Sequence, residues 1–292
     1  MAENMQDGKF VHNNTESARP GSVMPLFSLK GKTAIVSGAA AGIGFAVAET
    51  FAEAGANVAI WYNSNEIAVQ RAAEIEQAYG VKCKAYPVNV ISYEAVQTAI
   101  DQIISEFNGR LDIFVANSGI PWTEGPSLDG KIETFSKVMA TNVDGVFNCA
   151  RVAGLHWRRQ KREGTTIDGR KLEGFTTGSF IATASISAHI VNIPQLQAPY
   201  NASKAAVKHM VKSLGVEWVG FARANTVSPG YIKTEISTFC SPDVKRVWHD
   251  RIPMGREGET VELKGAYLYL ASDASTYTTA ADIVVDGGYC AL

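Results

Sequence analysis

The sequence predicts an α/β protein, one doubly wound domain built on a seven-stranded parallel sheet. Short β-branched runs alternate with longer helical patterns from about residue 26 onward. The runs are continuously apolar rather than alternating, as strands covered on both faces are. The first of them passes directly into a glycine-rich turn at the start of a helix, a signal of a nucleotide-binding crevice.

Taken in order, the strand candidates are TAIVSG (33–38), NVAIWY (57–62), KCKAYPVNV (82–90), LDIFVANSG (111–119), GSFIATAS (178–185), ARANTVSPG (222–230) and DIVVDGG (282–288). Helical patterns at 43–54, 66–79, 92–107, 132–158 and 200–218 fall between them, and the crossovers are expected to be right-handed. Residues 1–25 have no sustained apolar period and are rich in Asn, Gly, Ser and Pro. They are expected to form a flexible tail, leaving 26–292 as the domain. Ligands bind at the carboxyl ends of such strands, which puts loops 38–43, 117–127, 185–199 and 229–255 on the functional edge. The charged segment 158–174 is expected on the opposite edge as a solvated loop.

Composition narrows the function. A chain of 292 residues can bury a large core. With 46% hydrophobic and 19% charged residues and a net charge of −2, the basic excess of a nucleic-acid binder is missing. Cys83, Cys149, Cys240 and Cys290 are far apart with no C-x-x-C pair, which suggests neither a metal site nor a disulfide framework and fits reduced thiols in the cytoplasm. No apolar run reaches membrane-spanning length, and the N-terminus lacks signal-peptide order. No membrane partner is expected.

Chemistry concentrates in three places. In SGAAAGIG, Gly38, Gly42 and Gly44 permit a tight turn and close backbone approach, with Ile43 between them. The helix N-terminus behind them offers N–H groups to a pyrophosphate. The second strand ends in IWYNSN, where Tyr62, Asn63 and Ser64 bring no carboxylate. An acidic residue there would select NAD; its absence, with an amide and a hydroxyl able to donate to a 2′-phosphate, predicts NADP(H), although no Arg or Lys stands here or in the glycine turn. Finally, Tyr200 and Lys204 are four residues apart on one helix, and therefore on one face. A cation beside the phenol is expected to lower its pKa.

These motifs, with NSG (117–119), TNVDGVF around Asn142, ASIS around Ser185, YNASK (200–204), SPGYIKT (228–234) and DGG (286–288), stand in the order found in the short-chain dehydrogenase/reductase family. The chain resembles that family over roughly residues 28–292. More narrowly it resembles its fungal NADPH-dependent ketose and carbonyl reductases, the sorbose reductase, L-xylulose reductase and mannitol 2-dehydrogenase-like group. The resemblance implies a Rossmann-like fold and NADPH-dependent reduction of a small-molecule carbonyl. Tyr200 would be the general acid, Lys204 would lower its pKa and bind the nicotinamide ribose, Ser185 would donate to the substrate oxygen, and Asn142 would hold a relay water. It also implies adenine contact at Asn89, in place of the family's usual Asp, and cofactor contacts at Asn117, Gly119, Ile232 and Thr234. A homotetramer, or else a dimer, is expected.

Several readings stay open on sequence alone. Asn142 can equally bond backbone, and Ser185 can be an ordinary turn residue. His189, four residues after Ser185, can touch substrate or be structural, and Trp122 and Trp248 can wall a pocket or simply pack. The subgroup commonly has Ser-Gly-His where this chain has Ser187, Ala188 and His189, which bears on loop geometry and substrate preference. The polar residues His189, Asn192, Gln195 and Gln197 favour a ketose reduced to a polyol. Reduction of a biosynthetic ketone, isomerisation or cyclisation on the same fold, and a non-catalytic scaffold are the alternatives.

Overall fold

The expected runs become strands because, in all but the last, alternate residues enter two different cores. In the computed structural model, which describes residues 5–6, 9–12, 21–235 and 240–291, the strands are β1 Thr33–Val36, β2 Asn57–Tyr62, β3 Cys83–Pro87 and β4 Ile113–Ala116, then β5 Gly178–Thr183, β6 Ala222–Pro229 and β7 Asp282–Val285. Ile35, Trp61, Phe114 and Phe180 point to one side. Val36, Ile60, Val115 and Ile181 point to the other, following the two-residue period of a strand. The seven strands are parallel and ordered β3-β2-β1-β4-β5-β6-β7.

Helices α1 Gly42–Glu53, α2 Ile67–Tyr79 and α8 Val261–Ala271 supply buried residues to one core. Helices α3 Tyr93–Glu106, α5 Gly145–Glu163 and α6 Ala198–Glu217 supply the other. The second core holds a chain of rings: Trp61 meets Phe114 edge-on at 5.2 Å, Phe114 lies 6.0 Å from Phe180, and Phe180 meets Trp218 at 5.9 Å. Such offset and edge-to-face pairs suit the ring quadrupoles.

The switch in winding direction falls between β1 and β4. A crevice opens there at the carboxyl ends, where the glycine turn and the Asn117 loop face each other. The loop after β5 carries Ser185 and a 3-10 turn at Ile186–Ala188, and α6 follows it. Helix α4 Ile132–Met139 runs into a π-helical turn, Ala140–Asp144, and then into α5. Asn142 sits in that turn.

Three elements depart from the sequence expectation. Helix α5 continues to Glu163 rather than ending near 158. An Arg159–Glu163 ion pair one turn apart at 2.7 Å supports its charged end, and Gly164 closes it at φ +67°. The remainder of the segment lies against the loop before β4, with Ile167 N–H donating to Gly109 O at 2.9 Å. That is the edge opposite the crevice. Helices α7 Pro242–Arg251 and α8 were not expected. Pro242 in the first turn and the Ser241 hydroxyl accepting from Val244 N–H start α7, while Leu263, Tyr267 and Leu270, all buried, give α8 a helical spacing.

Of the expected tail, Met5–Gln6 pairs antiparallel with Lys9–Phe10, and Met24–Phe27 forms a 3-10 turn. Residues 1–4, 7–8 and 13–20 lie outside the described residues. Strand β7 pairs with β6 alone and so forms the sheet edge. Among the described residues no helix is long and apolar enough to cross a membrane.

Candidate active site

Two clefts meet at the carboxyl edge. A groove of about 420 Å³ runs over the glycine turn. A cavity of about 650 Å³ lies beyond it, under the loops that follow β5 and β6. Ile43, Ser185, Tyr200 and Thr234 line both.

The groove is shaped largely by backbone. Gly38 has φ +62°, and a Cβ there would be 3.0 Å from Ser118 Cα. Gly42, at φ +57°, lines the groove beside Ile43. Gly44 is buried beneath the turn, where a Cβ would approach Asn117 Nδ2 to 2.6 Å. Its role is helix-to-strand packing. Ala41, the N-cap of α1, makes no side-chain cap, so the first N–H groups of that helix keep their capacity for an anion. Ser37 Oγ accepts from the N–H groups of Asn117 and Ser118, each at 3.0 Å, tying the turn to the loop after β4. Asn117 adds bonds to Ser37 O and Gly38 O and accepts from Thr183 Oγ1. Tyr62, Asn63, Ser64, Asn117 and Gly119 all line this groove.

Three expected cofactor contacts are not among the groove's lining residues: Gly44 beneath the turn, Asn89 and Ile232. Asn89 is exposed, is not part of the groove wall, and spends its Oδ1 on Ile91 N–H at 3.1 Å. This turn after β3 is a local Asx turn, which the sequence alone does not separate from a ligand contact. Ile232 lines the neighbouring cavity rather than the groove. Thr234 lines both clefts, its Cγ2 lying 3.4 Å from where a Gly42 Cβ would sit.

At the shared wall, Lys204 is 5% exposed and donates from Nζ to Thr183 O at 2.8 Å. Burial pushes its pKa down to about 8. Its Nζ is 5.6 Å from the Tyr200 ring centroid. The Tyr200 pKa is raised by burial, only partly opposed by a hydrogen bond with Ser185. The expected lowering is thus reversed, because desolvation of the phenolate outweighs any help from a cation held against Thr183. Ser185 Oγ also accepts from Ser187 N–H at 3.1 Å.

Asn142 is fully buried. Its Oδ1 accepts from Ile120 N–H at 2.8 Å, and its Nδ2 donates to Ile120 O and Ser203 Oγ, each at 3.0 Å. Both amide hydrogens are therefore committed. The side chain fixes the loop after β4 against α6, which is the backbone-bonding alternative.

The cavity contains groups that sequence reading passed over. Tyr231 stacks on Trp248 with centroids 4.1 Å apart and meets Tyr289 edge-on at 5.5 Å. Trp122 and Trp248 both wall the cavity, as do Asn192, Gln195 and Gln197. His189 does not. Its Nε2 is 2.7 Å from Asp282 Oδ2, its Nδ1 is 3.2 Å from Lys208 Nζ, and Asp282 Oδ1 accepts from Thr226 and Ser228. This histidine anchors the loop to the edge strand. Tyr231 and Ser187 lie inside the SPGYIKT and ASIS motifs, but nothing in those motifs marks them as cavity residues. Among the described residues, no cluster of three or more His, Cys, Asp or Glu side chains is arranged to hold a metal.

The family profile described as "Enoyl-(Acyl carrier protein) reductase" matches residues 38–290. The chain is 67% identical over 285 residues to an L-xylulose reductase of Hypocrea jecorina, covering 98% of this chain and 99% of that protein. The chain belongs to the short-chain dehydrogenase/reductase family. Another member, a sorbose reductase of Candida albicans, is 50% identical over 272 residues, covering 92% and 91% of the two chains. Among solved short-chain dehydrogenase/reductases, the crystal structure of an NADPH-dependent 3-quinuclidinone reductase from Rhodotorula rubra superposes with a TM-score of 0.87 at 41% identity, covering 97% of this chain and 100% of that one.

Proposed function

We propose that this protein reduces a ketose to a polyol with NADPH, reversibly, and that Tyr200, Ser185 and Lys204 carry the reaction. The observation that carries this reading is that Ser185 and Tyr200 stand together in the wall common to groove and cavity. A donor pair placed there serves the oxygen of a carbonyl in the cavity. When bound, NADPH supplies the hydride, and the protein supplies alignment. The α1 N-terminus would hold the pyrophosphate, and Asn63 and Ser64 would donate to the 2′-phosphate, with no carboxylate in the 62–64 stretch to repel it. Lys204 would keep a positive charge beside the phenol and offer its remaining hydrogens to the nicotinamide ribose.

As hydride reaches the carbonyl carbon, negative charge grows on oxygen. Ser185 stabilises that charge by donating a hydrogen bond, and Tyr200 transfers its proton. In polyol oxidation Tyr200 takes the proton back. A relay water at Asn142 would use acceptor capacity only, since its amide hydrogens are committed. The ketose assignment is supported by the L-xylulose and sorbose reductases among the relatives. It is supported also by three amides, Asn192, Gln195 and Gln197, set among the aromatic and aliphatic residues of the cavity wall. The aromatic wall of Trp122, Tyr231 and Trp248, with the likeness to the quinuclidinone reductase, favours a second reading, reduction of a bulky apolar ketone.

Steady-state kinetics with NADPH and a matched panel of sorbose, fructose, L-xylulose and aryl ketones separates the two. Efficient ketose turnover is expected; negligible ketose turnover beside rapid aryl ketone reduction would sink the sugar assignment and keep the reductase chemistry. We further assign the protein to the cytoplasm and to a homotetramer, or failing that a dimer, because β7 leaves an open sheet edge that invites pairing.

A further inference from the structure

Ser187 lies two residues beyond Ser185, 5% exposed, in the cavity wall. Its hydroxyl donates to Asn192 Oδ1 at 2.8 Å. Asn192 is 2% exposed and is held at its other end, with Nδ2 donating to the Tyr231 hydroxyl at 3.1 Å. The ring of that phenol is stacked on Trp248 and meets Tyr289 edge-on. The amide therefore cannot turn without breaking bonds at both ends.

The consequence lies in hydrogen counting. A serine hydroxyl has one hydrogen, and that of Ser187 is spent on Asn192. Its oxygen faces Ser185 as an acceptor, taking a bond from Ser185 Oγ at 3.1 Å. The single hydrogen of Ser185 cannot serve Ser187 and a substrate carbonyl at once. When it turns to the carbonyl, the Ser187 acceptor is left open, buried and adjacent to the reacting carbon.

We propose that Ser187, oriented by Asn192, is a specificity-determining residue that accepts a hydrogen bond from a hydroxyl on the carbon next to the reacting carbonyl. The proposal rests on the reductase reading above and assigns to Ser187 the recognition of the α-hydroxyl that every ketose carries. Such a substrate replaces the lost Ser185 bond with its own hydroxyl. A plain ketone leaves a buried acceptor unpaired, which disfavours it by on the order of 10-fold.

The test is NADPH oxidation with 1-hydroxy-2-butanone and with 2-butanone, each variant reported as the ratio of the two kcat/KM values. The wild type is expected to favour the hydroxyketone by about 10-fold or more. Ser187→Ala should bring the ratio towards one, mainly through a higher KM for the hydroxyketone, and Ser187→Thr, which keeps the hydroxyl, should restore much of it. Asn192→Leu frees the Ser187 hydrogen and should lower the ratio as well, giving a second route if Ser187→Ala folds poorly. General damage to the site would lower both substrates together and leave the ratio intact. A wild-type ratio near one, or an unchanged ratio in both Ser187→Ala and Asn192→Leu, overturns the proposal and spares the reductase reading. A wild type that oxidises NADPH with neither these compounds nor any carbonyl of the panel removes the reductase reading and this proposal with it.

Discussion

The groove over the glycine turn and the cavity beyond Ser185 share a wall but are built differently. In the groove, glycines stand where a Cβ would collide, and the N–H groups of a helix start face the ligand space. In the cavity, side chains hold other side chains: Ser187 to Asn192, Asn192 to Tyr231, Tyr231 to Trp248. Backbone geometry recognises what is common to a cofactor, whereas side-chain networks can be rearranged for one substrate or another. The shared wall, Ser185 and Tyr200, has to satisfy both.

The hardest blow to that comparison falls on the wall itself. Tyr200→Phe removes the proton donor while keeping the ring, so turnover should drop by about 10²–10⁴-fold with NADPH binding, followed by fluorescence, nearly unchanged. Near-normal turnover in this variant would mean that another group supplies the proton.

The groove should be intolerant where the cavity is forgiving. Gly44→Ala pushes a methyl against Asn117 Nδ2 and the Gly38 backbone. The atoms there are held by the bonds between Asn117 and the turn, and overpacking of this kind costs about 1–3 kcal/mol. Weaker NADPH binding and a lower melting temperature are expected together; a variant that binds NADPH normally would show that the turn is softer than its packing implies.

The smallest effect is a pH signature. Burial lowers the Lys204 pKa to about 8 in the folded protein, against an ordinary value of about 10.4 in an unfolded chain. Between those two values the unfolded state binds more protons, so the Lys204 contribution makes folding stability rise with pH there. Below about pH 8 the buried charge is a constant burden. Lys204→Met should therefore gain most over the wild type near pH 7 and lose that advantage as pH rises towards 10. Denaturant titrations of both proteins across that range measure it, and an advantage that grows with pH would contradict the shift.

The groove was legible in the sequence because its determinants are contiguous. SGAAAGIG, IWYNSN and NSG each bring their residues to the crevice in one short stretch. An amide after a strand, as at Asn89, serves an Asx turn as readily as a ligand, and its bond from Ile91 N–H was not legible in the sequence. The phenol shift was misjudged because spacing along a helix reveals a neighbouring cation but not burial. The cavity was scarcely legible, since Asn192, Tyr231 and Trp248 come from three separate segments. Trp122 and Trp248 were marked as loop aromatics, but nothing in their local sequence pairs Trp248 with Tyr231.

The π-helical turn at Ala140–Asp144 has a consequence for insertions and deletions. A π turn takes in one more residue than the α-helix around it, and each helical residue turns the next by about 100°. Because the extra residue is taken up inside the turn, deleting one codon within 140–144 would restore the ordinary pitch and leave α5 in register, with Val146, Cys149 and Ala150 still packed into the core that holds Phe114 and Phe180. The loss would be local, at the point where Asn142 reaches the backbone of Ile120, so the irregular turn is the part of this long helix that serves the site rather than the core.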